Sequence, residues 1–176
     1  FIIKDIVTIQ SRENCMIFVS VLTPAGLREE RCLDRLMEIW LNGNLEAHSF
    51  IPGTYWEDNV PAVREQIAQA EIFVCESDGE MGEVRAGKRE ILGFAGMAGV
   101  YLAGIFVDGE YRSRGVGKQL LEQVKRAHPS FSLHVYEKNR RAVEFYRREG
   151  LLEVSRQADG ENGETEILME WKEERT

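Results

Sequence analysis

The segment 112-RSRGVGK-118 sets Arg112, Arg114 and Lys118 around Gly115 and Gly117. Glycines let a backbone turn tightly and approach a ligand with no Cβ in the way. The apolar residues that follow recur at helical spacing, so first-turn N–H groups and a helix dipole would face an anion here. The chemistry indicated is a phosphate or pyrophosphate cradle with cations at its rim; a plain strand-to-helix turn has the same composition. Two nucleotide loops fail on spacing. A GxGxxG loop would need glycine where Leu120 stands. A GxxxxGK[ST] loop would need glycine at Arg112 and a hydroxyl at Gln119. Upstream, 82-GEVRAGKR-89 has GxxxxGK spacing but ends in Arg89 and opens no helix, so it reads as loop.

A second set is 139-NRRAVEFYRREG-150. Asn139 suits a helix N-cap. Tyr146, seven residues on, shares its face with Asn139 and Ala142. Taken alone, Tyr146 reads as a half-buried packing tyrosine. His134 stands on the segment before. Cys15, Cys32 and Cys75 are far apart, with no CxxC and no paired histidines, so neither a disulfide framework nor a metal site is expected.

These residues need elements to position them. Residues 16–22 read as a strand. Residues 27–43 have helical periodicity closed by Asn42-Gly43, 45–57 read as an aromatic loop or broken helix, and a helix follows Asn59 with Pro61 in its first turn. Strands are expected at 71–76, 91–100 and 101–107, with a long polar hairpin over 77–89. A helix over 114–127, a strand at 131–136, a helix over 139–149 stopped by Gly150, and strands at 151–157 and 166–171 complete the chain. The order is β-α-α-β-β-β-α-β-α-β-β. The unit 101–136 is a crossover, so strands 101–107 and 131–136 should be parallel, flanked by antiparallel neighbours. The fold class is a mixed α/β sheet with helices on both faces and a ligand site at the C-terminal ends of the parallel pair. One domain is expected over 16–172, with 1–15 an extension of unknown role.

With 176 residues, the chain has a net charge of −8 and no apolar run of membrane-span length. It is expected to be cytoplasmic, with no membrane partner. The acidic balance argues against nucleic acid as partner. Residues 111–150 nevertheless hold 10 Lys/Arg against 4 Asp/Glu. A basic segment on an acidic protein suggests a local anionic ligand, or two solvated helix faces.

Together these pieces resemble the GNAT superfamily of N-acetyltransferases, over about Met16 to Trp171. The resemblance rests on the element order, on R-x-x-G-x-G as Arg112…Gly115…Gly117, and on N-x-x-A-x-x-F-Y as Asn139…Ala142…Phe145-Tyr146. Small bacterial members of the YiaC and YjaB type also share a stretch like His48-Ser-Phe50-Ile51…Tyr55-Trp56.

The resemblance implies that the anion is the pyrophosphate of acetyl-coenzyme A. Backbone N–H groups across Arg114, Gly115, Val116, Gly117 and Lys118 would hold it, with Arg112 at the loop's start. Ile105, Phe106 and Val107 would line the pantetheine arm, and a backbone N–H near Phe106 would polarise the thioester carbonyl. Asn139 and Ala142 would touch the arm, and Tyr146 would protonate the departing thiolate. Many relatives carry a carboxylate at the position of His134, which becomes the first candidate base, ahead of Glu137 and His48. The acceptor would enter beside His48, Phe50 and Tyr101. It would be a primary amine on a small molecule or a protein, and the enzyme a monomer or homodimer. The competing classes are a non-catalytic acyl-coenzyme A sensor on the same fold and a nucleotide-dependent kinase.

Overall fold

The computed structural model describes residues 9–10, 16–22, 30–77 and 90–173. Its elements are β1 (Ile9–Gln10), β2 (Met16–Val21), α1 (Glu30–Ala47), α2 (Gly53–Gln69), β3 (Glu71–Ser77), β4 (Glu90–Ala98) and β5 (Tyr101–Val107). A 3-10 turn (Gly109–Tyr111) leads to α3 (Val116–Ala127), β6 (Ser130–Tyr136), α4 (Arg140–Arg148), β7 (Leu152–Ala158) and β8 (Thr165–Lys172). The strands form one sheet in the order β1-β2-β3-β4-β5-β6-β8-β7. Among the described residues only β5 and β6 pair in parallel, and every other neighbour is antiparallel. This is the expected mixed sheet around one crossover. The 77–89 hairpin, with its GxxxxGK decoy, lies outside the described residues apart from Ser77. Of residues 1–15, Ile9 and Gln10 add a two-residue edge to β2.

Side chains alternate across a strand, and the two faces of β3 feed two cores. Phe73 and Cys75 join Val116, Leu120, Leu121 and Val124 of α3 and Val143 and Tyr146 of α4. Ile72 and Val74 join Leu36, Ile39 and Trp40 of α1 and Trp56 of α2. The four apolar side chains of α3 are almost fully buried. At about 1.5–3 kcal/mol each, they fix this helix, and the loop before it, against the sheet.

Two expected boundaries move. α1 continues through Asn42-Gly43 to Ala47. Asn44 is buried and turns its Nδ2 to the Trp40 carbonyl, and Gly43 lets the helix lie close to the Phe106 ring. That packing outweighs the roughly 1 kcal/mol cost of glycine in a helix. α2 starts at Gly53 after Pro52, so Pro61 falls inside the helix and Asn59 is no cap. The Asn59 Nδ2 donates instead to the Tyr55 carbonyl at 2.7 Å. Burial of Trp56 in the first turn holds residues 53–60 helical ahead of the proline.

Candidate active site

β5 and β6 share a single paired position, Tyr101↔Ser132. Beyond it β5 stays with β4 and β6 stays with β8, so the parallel strands open into a V. A bulge contributes. Gly96 pairs with Gly104 and Met97 with Leu102, leaving Ala103 without a partner on β4. An extra residue bends the strand that carries it. A cavity of about 740 Å³ opens between the C-terminal half of β5, the start of α3 and the face of α4. Ile105, Val107, Gly117, Asn139, Ala142 and Tyr146 all line it.

Ladder alternation sorts the amides of β5. The Asp108 N–H donates to the Leu92 carbonyl, and the register carries that bonding phase to Phe94↔Phe106. The Phe106 N–H therefore faces β4. Its ring also sits on the far face of the sheet, stacked on Phe94 at 5.1 Å. The amides turned into the V are those of Ile105 and Val107, and the Ile105 N–H donates to the Tyr146 hydroxyl oxygen. The amides near Phe106 that face the gap are thus those of its two neighbours, and the bulge sets which amides these are. Tyr146 is buried, and burial first, with Tyr101 nearby second, raises its phenol well above the usual range.

The loop before α3 is left-handed at Ser113 (φ 63°) and Gly115 (φ 87°). Gly115 is the N-cap and supplies no capping side chain, so the first-turn amides of Val116, Gly117 and Lys118 point to the cavity end of the helix without one. Val116 contributes only its amide, since its side chain is in the core. A Cβ at Gly117 would touch Ile105, Val107 and Phe145 side chains at 3.7–3.9 Å. Glycine keeps that floor open. The cations behave differently from one another. Arg112 is committed, its Nε to the Val107 carbonyl at 3.2 Å and its Nη1 to Glu46 of α1. Arg114 lies over the Tyr111 ring, and Lys118 is exposed beside Glu122. Arg141 and Arg148 also line the cavity, and Arg141 donates to the Ser113 hydroxyl at 3.1 Å. The sequence showed Arg140 and Arg141 side by side without saying which one faces the loop. Nor did it show that Asp108 anchors the loop, taking Arg35 Nη2 at 2.7 Å and the Glu110 N–H at 2.9 Å.

Asn139 caps α4 by accepting from the Ala142 N–H at 3.2 Å. Its Nδ2 donates to His48 Nε2 at 3.1 Å, which ties the α1–α2 turn to α4. The His48 ring stacks on Trp56 at 5.1 Å and meets Phe50 and Tyr136 edge-on. Burial pushes its pKa down to about 4, so the ring is neutral near pH 7. His48 and Phe50 are thus largely used in packing.

On the opposite face of the sheet from the cavity, His134 Nδ1 lies 3.2 Å from the Tyr101 hydroxyl and Nε2 lies 3.4 Å from Gln157 Nε2. Glu137 is held outward by Arg156. The β7–β8 turn straps over this side through Tyr136–Asp159 and Tyr55–Glu161, both 2.7 Å. The V therefore has an uncapped helix N-terminus at its mouth on one face and a histidine beside Tyr101 and Tyr136 near its apex on the other.

Residues 68–150 match the acetyltransferase (GNAT) domain family. The chain is 38% identical over 120 residues to the peptidyl-lysine N-acetyltransferase YiaC of Escherichia coli K12, covering 67% of this chain and 75% of that one. It is 26% identical over 117 residues to the peptidyl-lysine N-acetyltransferase YjaB of Salmonella typhimurium, covering 66% and 74%. The fold superposes on the solution structure of apo YjaB from Escherichia coli with a TM-score of 0.69 at 21% identity, over 90% of this chain and 99% of that one. With its split parallel strands and its two spaced motifs, this chain belongs to the GNAT family of acetyltransferases.

Proposed function

We propose that the protein transfers the acetyl group of acetyl-coenzyme A directly to a primary amine, and that the amine is a lysine side chain of a protein. One observation carries the reading: the V between β5 and β6 joins an uncapped helix N-terminus on one face to a histidine on the other. A helix N-terminus with free amides suits a pyrophosphate. The first-turn amides from Val116 to Lys118 would bind it, with Lys118, Arg114 and Arg141 supplying charge. The splayed edge of β5 offers the Ile105 and Val107 amides to the pantetheine arm and its carbonyl.

The amine must be neutral to attack, and alkylamines titrate near ~10.4. His134 would take the amine proton on the acceptor face. Tyr146, kept protonated by burial, would give a proton to the thiolate that leaves. Asn139 would hold α4 so that Tyr146 faces the cavity. The lysine assignment rests on the peptidyl-lysine activity named for the YiaC and YjaB relatives and on the acidic rim of the acceptor face, where Asp159, Glu161 and Glu166 lie. The test is thiol release from acetyl-coenzyme A with small amines and lysine peptides. Release with lysine peptides above small amines supports it. Tight donor binding with no release for any acceptor would mark a sensor instead.

A further inference from the structure

In the β6–β8 ladder His134 faces Leu168, Tyr136 faces Glu166 and Ser132 faces Glu170, so Glu166 and Glu170 are the two diagonal neighbours of His134. Glu170 is exposed, whereas Glu166 is half-buried and interacts with the His134 ring. Ile167 and Met169 of β8 are buried in the core under α3 and α4, so Glu166 points to the other face, as His134 does. Diagonal cross-strand residues lie within reach of long side chains. Gln157, opposite Glu166 in the β7–β8 ladder, touches His134 Nε2, and Tyr101 touches Nδ1. Three strands thus bring Tyr101, Gln157 and Glu166 around one imidazole.

We propose that Glu166 is a further residue of the proton-accepting apparatus: a positioning carboxylate that faces His134 and stabilises the imidazolium formed when the amine gives up its proton. This rests on the acetyl-transfer reading above. In the step, one N–H bond of the ammonium breaks and its proton bonds to His134. The lone pair of the neutral amine attacks the thioester, the C–S bond breaks, and the thiolate takes the proton of Tyr146. The second nitrogen-bound proton passes to the Tyr146 phenolate, which leaves a neutral amide, a thiol and one proton on His134. No other reactant is needed.

The electrostatic setting agrees. Burial first and Asp159 second raise the Glu166 carboxyl above its usual range, while His134 favours its charged form. Tyr101, itself raised mainly by burial, feels Glu166 as well. The charged and titratable groups about His134 are Tyr101 on β5, Tyr136 on its own strand, Glu166 and the exposed Glu170 on β8, Asp159 after β7 and, through Tyr101, Tyr146 on α4.

The experiment measures kcat and kcat/KM against pH for the wild type, Glu166→Gln, Glu166→Asp, His134→Gln and the double variant, with calorimetric acetyl-coenzyme A binding for each. Glu166→Gln should lower kcat about tenfold or more and move the acidic limb of kcat/KM down by about half a pH unit or more, with donor affinity unchanged. Glu166→Asp should recover part of the loss. The double variant should be no worse than His134→Gln alone, because the two act as a unit. An unmoved limb in a folded, donor-binding Glu166→Gln protein, or losses that multiply, would overturn the proposal. A wild type that binds donor but acetylates nothing would instead remove the acetyl-transfer reading beneath it.

Discussion

The Tyr146 hydroxyl receives the Ile105 amide and lines the cavity that opens from the V. Burial outweighs the opposing effect of the Ile105 amide and keeps the phenol protonated, which suits a proton donor. Tyr146→Phe should therefore lower kcat by about 10² or more, the usual size of a proton-transfer contribution, while acetyl-coenzyme A affinity stays within about twofold. Steady-state kinetics with calorimetry checks this; equal loss of both would make Tyr146 a binding residue. His48 yields a prediction on stability. Its folded-state pKa is about 4, below the ordinary ~6.5, so the neutral ring is the native form. Stability is then fully present above pH ~6.5 and falls as pH drops toward 4, where the unfolded chain binds a proton that the native one refuses. Discounted for partial exposure, the loss is about 2 kcal/mol. Urea unfolding at pH 7 and pH 4.5 should show it in the wild type and not in His48→Gln.

At the scale of elements, β5 is the part on which the site depends. Its bulge at Ala103 bends it away from β6, and Gly93 of β4 lies directly against its backbone. A Cβ at Gly93 would sit 2.7 Å from the Phe106 carbonyl oxygen and 3.2 Å from Val107 Cα. Backbone on that side cannot swing away as a side chain could. Gly93→Ala should cost about 1–3 kcal/mol. It should also weaken donor binding, since the displaced atoms neighbour the amides facing the V. Thermal unfolding and calorimetry together test this; a stable variant with normal affinity would show β5 to be compliant. Much of this element was legible in the sequence. The strand, the glycine loop and α3 lie within two residues of expectation, because apolar periodicity and Gly/Pro punctuation are local signals. The bulge was not legible, and with it went which of the amides near Phe106 face the V. A one-residue shift of pairing depends on the partner strand, and nothing within 101–107 records it. The end of α1 and the start of α2 were misjudged for the same reason: Asn42-Gly43 and Pro61 are local stop signals overridden by packing against β5 and by the burial of Trp56.

At the scale of the molecule, the cavity and the glycine loop at its rim join elements from both halves of the chain. α1 reaches the loop through Glu46–Arg112 and Arg35–Asp108, and α4 reaches it through Arg141–Ser113. A ligand spanning them should stabilise the whole fold. Acetyl-coenzyme A at 100 times its Kd would add about 2.7 kcal/mol, or about 5–11 °C in Tm for a chain of this size. Magnesium ATP should leave Tm unchanged or be displaced by acetyl-coenzyme A. Stabilisation by ATP that acetyl-coenzyme A does not reverse would restore the nucleotide reading.

The sequence by itself determined the family, the order of elements and the two motifs, because glycine spacing, helix caps and apolar periodicity act over a few residues. It also excluded the two common nucleotide loops, by a missing glycine and a missing hydroxyl. Only the tertiary structure decided which amide of β5 faces the V, that Arg112 is bound to Glu46, and that His48 is packed against Asn139 and Trp56. Only it brought Glu166 beside His134, 32 residues earlier in the chain. Each of these is a contact between residues far apart in sequence, set by strand register and by which face a side chain takes.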